Sequence, residues 1–115
     1  MNNPITTLKD LCDLASKGNE LLKKYVLSPI QKETLTSAPQ SGEFHILQAD
    51  QLAYPIIRAG SMDMGDENDP ASLASYYKAF KLLCKNGYIE HAGGAQFRLT
   101  SGGFDKARSL AKHLR

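Results

Sequence analysis

The clearest periodic pattern of apolar residues lies in the last third of the chain. Six of them recur three and four positions apart, the spacing of an amphipathic helix: Leu73, Tyr76, Tyr77, Phe80, Leu83 and Cys84. Asp69-Pro70 before them is typical of a helix start, and Asn86-Gly87 after them is typical of a helix end. The sequence therefore predicts a helix over residues 70–86.

Two short strands and a closing helix are predicted next. Residues 88–91 and 96–99 are predicted strands on either side of a Gly-Gly turn at 93–94, where glycine can adopt positive φ. Thr100 can cap a final helix that extends to about Leu114. Helix period and strand alternation place six side chains in one predicted core: Phe80, Leu83, Ile89, Phe97, Leu99 and Leu110.

Two helix-start signals occur in the first 40 residues. The Asn-Pro pair at 3–4 precedes apolar residues at near-helical spacing as far as Val26, and the Gly-Asn pair at 18–19 can divide them into two helices. The Ser-Pro pair at 28–29 repeats the signal and predicts a short helix to about Ser37.

The middle of the chain is predicted to contain a hairpin and an acidic loop. Residues 43–48 alternate between polar and apolar, and residues 54–59 are β-rich, so the two stretches can pair. A short helix over 49–58 is the alternative, and Pro55 argues against it because proline disrupts a helix interior. Residues 61–68, polar and acidic, are predicted to form a loop.

Size and composition indicate one soluble domain. The chain has 115 residues, 42% of them apolar and 23% charged. It contains no apolar run near the roughly 20 residues that span a bilayer and no signal-peptide pattern, so a cytoplasmic protein without a membrane partner is predicted. Cys12 and Cys84, both on predicted helices, are expected to be reduced.

The net charge of +2 is unevenly distributed. Residues 1–70 carry six Lys/Arg and ten Asp/Glu, a net of −4, whereas residues 71–115 carry eight and two, a net of +6. The basic part contains the predicted helix, hairpin and closing helix. That coincidence is the strongest functional indication in the sequence.

The basic part resembles the end of a bacterial winged-helix domain. The residues that carry the resemblance are Phe-Lys-Leu-Leu-Cys-Lys-Asn-Gly-Tyr-Ile-Glu at 80–90 and Phe-Arg-Leu-Thr-Ser-Gly-Gly-Phe at 97–104. The resemblance implies an α+β, winged-helix-like domain over 28–115, preceded by an N-terminal helical segment over 1–27, as one compact unit. A hairpin and an acidic loop stand where that family has the supporting helix before its recognition helix.

Five residues are candidates for contact with nucleic acid. Lys78, Lys81 and Lys85 share one stripe of the 70–86 helix and can meet phosphates, although a merely solvated face is the competing interpretation. Arg98 with Gln96 can form a wing that reaches a minor groove or a phosphate, or can simply be hydrated.

No pattern of enzyme chemistry is found. The three histidines lack partners at metal-ligand spacing, the acidic loop does not match a calcium-binding loop, and no phosphate-binding or nucleophile motif occurs, so no enzyme, metal or cofactor is predicted. The leading expectation is DNA contact in a regulatory role. The alternative is a protein-interaction module without nucleic-acid binding, in which the wing hairpin or the C-terminal helix docks a protein partner or a second copy.

Overall fold

The computed structural model describes residues 4–16, 27–48 and 51–113, which form four helices and a five-stranded antiparallel sheet. In chain order the elements are α1 Pro4–Ser16, α2 Pro29–Thr36, β1 Glu43–Leu47, β2 Ile56–Ala59, β3 Met62–Met64, α3 Pro70–Lys85, β4 Ile89–Gly93, β5 Gln96–Leu99 and α4 Ser101–His113. The strand order is β3-β2-β1-β5-β4. The mixed α+β class predicted from the sequence is therefore confirmed.

The helix starts are set by side chains that satisfy free backbone N–H groups. Ser28 accepts a hydrogen bond from the Gln31 backbone N–H, and the Gln31 side chain accepts one from the Ser28 N–H, which together form a capping box. Asp69 accepts from the Ala71 N–H at 3.1 Å and begins α3. Thr100 accepts from the Gly103 N–H at 3.1 Å, as predicted for the cap of α4.

The sheet has an apolar inner face and a largely polar outer face. On β1, Phe44 is buried while Glu43 and His45 are exposed, because successive side chains of a strand point to opposite faces. Helix α3 lies on the inner face. Its Phe80 ring meets Phe44 and Phe97 edge to face, with ring centroids 5.3 and 5.8 Å apart.

Five of the six predicted core residues are buried in one cluster: Phe80, Leu83, Ile89, Phe97 and Leu99. The prediction for Leu110 is wrong in degree, since it is only partly buried against that cluster. Its helix α4 lies at the margin of the core, where its main contacts are with α2 and β5. Leu8 and Cys12 of α1 belong to the same cluster, so the N-terminal helix shares the core of the remaining chain.

The predicted loop at 61–68 is wrong in its first part. Residues 62–64 form β3, which pairs with β2 in the register Ala59↔Met62 and Ile57↔Met64. The turn between these strands contains only two residues, and Gly60 adopts a φ of 64° there. A glycine in a two-residue connection favours a tight hairpin over a loose loop.

Residues 51–58, the described part of the stretch left open between hairpin and helix, contain no helix, and the hairpin prediction is confirmed. Strand β2 pairs with β1 and begins at Ile56, immediately after Pro55. Proline has no backbone N–H, and at this position before the strand no hydrogen bond to a neighbouring strand is lost. The strand predicted at 88–91 is Ile89–Gly93 in the structure, so it begins one residue later and ends two residues later than predicted. The predicted helix between residues 17 and 26, its break at 18–19 and the end of α4 at Leu114 lie outside the described residues.

Candidate binding site

The three candidate lysines lie on the side of α3 that faces away from the sheet. Lys78 and Lys85 are exposed, and Lys81 between them is partly buried. Lys78 and Lys85 are seven residues apart, almost two full turns, so they stand in one line about 10 Å apart along the helix axis. The structure therefore brings these three predicted residues together.

A groove of about 360 Å³ runs between α3 and α1 at this position. It is lined by two leucines and three lysines: Leu11, Lys78, Lys81, Leu82 and Lys85. We call it the lysine groove. No acidic side chain is among its described lining residues. The groove thus combines an apolar floor with a positively charged rim.

Both leucines of the lysine groove were missed as candidates in the sequence. Leu82 is 37% exposed on the otherwise polar side of α3, and Leu14, one turn beyond Leu11 on α1, is 61% exposed. Leu82 could have been identified from the sequence, because it is an apolar residue between lysines on the exposed stripe of the helix. Leu11 carried no such signal, because its role depends on α1 lying beside α3.

Lys81 differs from the other two lysines. Its ammonium group lies 5.4 Å from the centroid of the Tyr77 ring, within the range of a cation–π contact. Tyr77 in turn lies 6.1 Å from the ring of Tyr54. The side chain of Lys81 is therefore held at the edge of the core, whereas Lys78 and Lys85 have no such aromatic contact among the described residues.

Arg98 and Gln96 are not part of the lysine groove. They alternate with the buried Phe97 on β5 and so lie on the outer face of the sheet, on the side opposite α3. Arg98 donates to Glu90 at 2.6 Å, and in the strand register it stands between Glu90 of β4 and Glu43 of β1. Neighbouring carboxylates offset its charge. The lysines of α3 and the two candidate residues of β5 were predicted as one nucleic-acid surface, but they lie on opposite sides of the sheet.

The acidic residues before α3 stabilise its start and lie far from the lysines. Asp66 accepts from the Asn68 N–H at 2.9 Å, and Asp69 caps the helix. Lys78, the first of the three lysines, lies nine residues beyond Asp69, which is about 14 Å along the helix axis. That distance exceeds the Debye length of about 8 Å at physiological ionic strength, so the acidic loop does not neutralise the lysine groove.

A second groove, of about 400 Å³, lies between α2 and α4. Its lining is mostly apolar and includes Leu35, Pro39, Phe104 and Ala107. Arg108, the charged residue in this lining, is paired with Asp105. This groove adjoins the C-terminal helix predicted as a docking element, but it offers a partner no distinct charge.

The described residues contain no group of three or more His, Cys, Asp or Glu residues placed to hold a metal ion. Among the same residues, no helix combines the length and the apolar character needed to cross a bilayer.

Comparisons with protein-family models, curated protein sequences and solved structures gave no match to this chain.

Proposed function

We propose that this protein is a non-enzymatic interaction module that binds an acidic, amphipathic segment of a partner protein in the lysine groove. The observation that carries the proposal is the lining of the groove, in which Leu11 and Leu82 provide apolar surface and the three lysines supply positive charge. A segment with apolar and acidic residues on one side would complement both properties at once.

The apolar contact supplies affinity and the charges supply orientation. Burying apolar surface contributes about 25 cal/mol per Å². Exposed ion pairs contribute only about 0.2–1 kcal/mol each, but they raise the association rate and penalise partners of the wrong charge. A groove with both features selects an acidic amphipathic segment over a purely apolar or purely acidic one.

Sequence-independent or weakly specific contact with DNA in a regulatory role, the leading expectation from the sequence, is the second candidate. It is favoured by three lysines on one exposed side of α3, since lysine suits phosphate contact. Two observations place it second. Leu82 stands in the middle of the lysines, where a DNA phosphate would lose hydration against an apolar side chain that donates no hydrogen bond, and Arg98 lies on the outer face of the sheet paired with Glu90.

Titration of the protein into two labelled probes, one of DNA and one of peptide, under the same conditions tests the proposal. One probe is a fluorescently labelled random DNA duplex, and the other is a labelled helical peptide with glutamates and leucines on one face. At about 20 mM salt, where the Debye length is about 20 Å, charge-driven binding is strongest. We expect peptide binding that weakens only modestly at higher salt, and little duplex binding.

DNA binding would show a different salt dependence. The duplex affinity would fall with a log–log slope of about −0.9 per phosphate contacted, and replacing Lys81 and Lys85 by alanine would reduce that slope by about two. Such a result, together with no peptide binding, would overturn the proposal in favour of DNA contact. Lys32→Ala, which removes an exposed lysine of α2 outside the groove, is the matched control.

A further inference from the structure

The lysines of the groove are not equivalent, and their difference constrains the partner. Lys81 is partly buried with its ammonium over the Tyr77 ring, so part of its interaction capacity is used within the protein. Lys78 and Lys85 are exposed at the two ends of the groove. These two lysines are therefore the stronger candidates for pairing with charges on a partner.

Leu82 lies between these two lysines on the same side of α3. It follows Lys78 by four residues and precedes Lys85 by three, and it lines the groove together with Leu11. The binding surface thus has a fixed order along the helix axis, with positive charge, apolar surface and positive charge over about 10 Å.

Resting on the proposed function, we propose that the partner segment is a helix with two acidic residues seven positions apart and an apolar residue between them on the same face. A helix lying along α3 has the same rise per residue, so acidic residues at i and i+7 come opposite Lys78 and Lys85. An apolar residue at i+3 or i+4 then meets Leu82 and Leu11.

An extended segment fits this surface less well. A strand rises about 3.3 Å per residue and would cover the same 10 Å in three residues. Residues three apart in a strand point to opposite faces, so two acidic side chains at that spacing could not both face α3. The helix is the regular conformation that places both acids and the apolar residue on one side.

Two helix-stapled peptides of identical composition test this inference. The facing peptide carries glutamates at i and i+7 with leucine at i+4, and its isomer carries the glutamates two positions later, about 200° around the helix. Two additional exposed ion pairs predict about fivefold tighter binding of the facing peptide by fluorescence anisotropy. Circular dichroism checks that both peptides are equally helical.

Substitutions in the protein identify the contacts. Lys78→Ala combined with Lys85→Ala should remove the difference between the two peptides, whereas Lys81→Ala and the control Lys32→Ala should preserve it. Leu82→Ala should weaken both peptides. Its matched control is Met62→Ala, which truncates an apolar side chain 51% exposed on β3, away from the groove.

The outcomes separate the two proposals. Equal binding of the two peptides, both weakened by Leu82→Ala, would overturn the i, i+7 pattern and leave the proposed function standing. A peptide difference that survives loss of Lys78 and Lys85 would overturn their assignment as the pairing residues. Binding of neither peptide would overturn the proposed function itself, and the inference with it.

Discussion

Phe80 of α3 and Phe97 of β5 meet edge to face, with ring centroids 5.8 Å apart. The contact fixes which side of α3 faces the sheet, because a helix that buries Phe80 turns residues 78, 82 and 85 outward. It also fixes the strand, because burial of Phe97 places Arg98 on the outer face. One aromatic pair thus places the lysine groove and Arg98 on opposite sides of the sheet.

Replacing Phe80 by alanine should lower the free energy of unfolding by about 3–5 kcal/mol, since the cavity would be enclosed by Phe44 and Phe97. Chemical denaturation followed by circular dichroism measures the loss. The exposed Met62→Ala serves as the control and should change stability by about 0.5 kcal/mol or less. A loss below about 1 kcal/mol for Phe80→Ala would contradict the central place of this ring.

The adjacent glycines at the start of α4 should respond oppositely to substitution by alanine. A Cβ atom at Gly103 would lie 2.1 Å from the carbonyl oxygen of Tyr88, whereas one at Gly102 would have the Thr100 Oγ1 at 3.8 Å as its nearest neighbour. Gly103→Ala should therefore destabilise by about 1–3 kcal/mol. Gly102→Ala should be neutral or stabilising by up to about 1 kcal/mol, because it reduces the entropy of the unfolded chain.

Thermal and chemical unfolding measure the stability of the two variants. Equal effects at positions 102 and 103 would show that α4 does not approach the Tyr88 carbonyl as closely as the structure indicates.

The hydrogen bond between α3 and α2 should make stability depend on alkaline pH. Tyr76 donates to Glu33 at 2.5 Å, and this bond, with burial and the Glu33 charge, raises the pKa of Tyr76 from 10 to about 12. Between these pH values the unfolded chain has lost the tyrosine proton and the folded protein keeps it. The stability that this hydrogen bond contributes to the folded protein is therefore complete below pH 10 and is lost as pH rises through 12.

Tyr76→Phe should accordingly show a shallower fall in stability between pH 10 and 12 than the unaltered protein. The measurement is the free energy of unfolding from denaturant titrations at several pH values. Parallel pH profiles for the two proteins would contradict the role of this hydrogen bond.

The two cysteines should be reduced and unreactive in the folded protein. Cys12 donates to the carbonyl oxygen of Ile89 at 3.2 Å, and both thiols are buried and free. Burial is the largest cause that raises the pKa of Cys84 well above its ordinary range, and contact with the Cys12 thiol adds to it. Little of the reactive thiolate therefore forms. Iodoacetamide should modify both residues in denaturant and neither under native conditions, as read by mass spectrometry.

A disulfide between Cys12 and Cys84 in protein prepared without reductant would contradict this account. The variant Cys12→Ser with Cys84→Ser would then lose stability only under oxidising conditions.

Elements with complete local signals were predictable from the sequence. Helix α3 has a capping aspartate, a proline in its first turn and apolar residues at helical spacing, and β5 alternates through Phe97 and Leu99. Strand β3 has only three residues within an acidic stretch, so alternation was too short to outweigh loop composition. The Gly60-Ser61 pair, a two-residue hairpin turn, was the signal that could have revealed it.

The candidate site was predictable only in part. The common stripe of Lys78, Lys81 and Lys85 follows from helical geometry alone. The separation of Arg98 from these lysines and the contribution of Leu11 depend on how α3 lies against the sheet and against α1. Such contacts join residues far apart in the chain, and local periodicity carries no information about them.

A map of where the facing peptide binds, obtained from backbone amide chemical shifts of the isotope-labelled protein, tests the lysine groove as the binding site. We expect the largest shift changes upon titration to cluster at residues 78–85 of α3 and around Leu11 of α1, with Gln96 and Arg98 unaffected. Changes centred instead on β4 and β5, or on the α2–α4 groove beside Phe104, would contradict the lysine groove as the binding site.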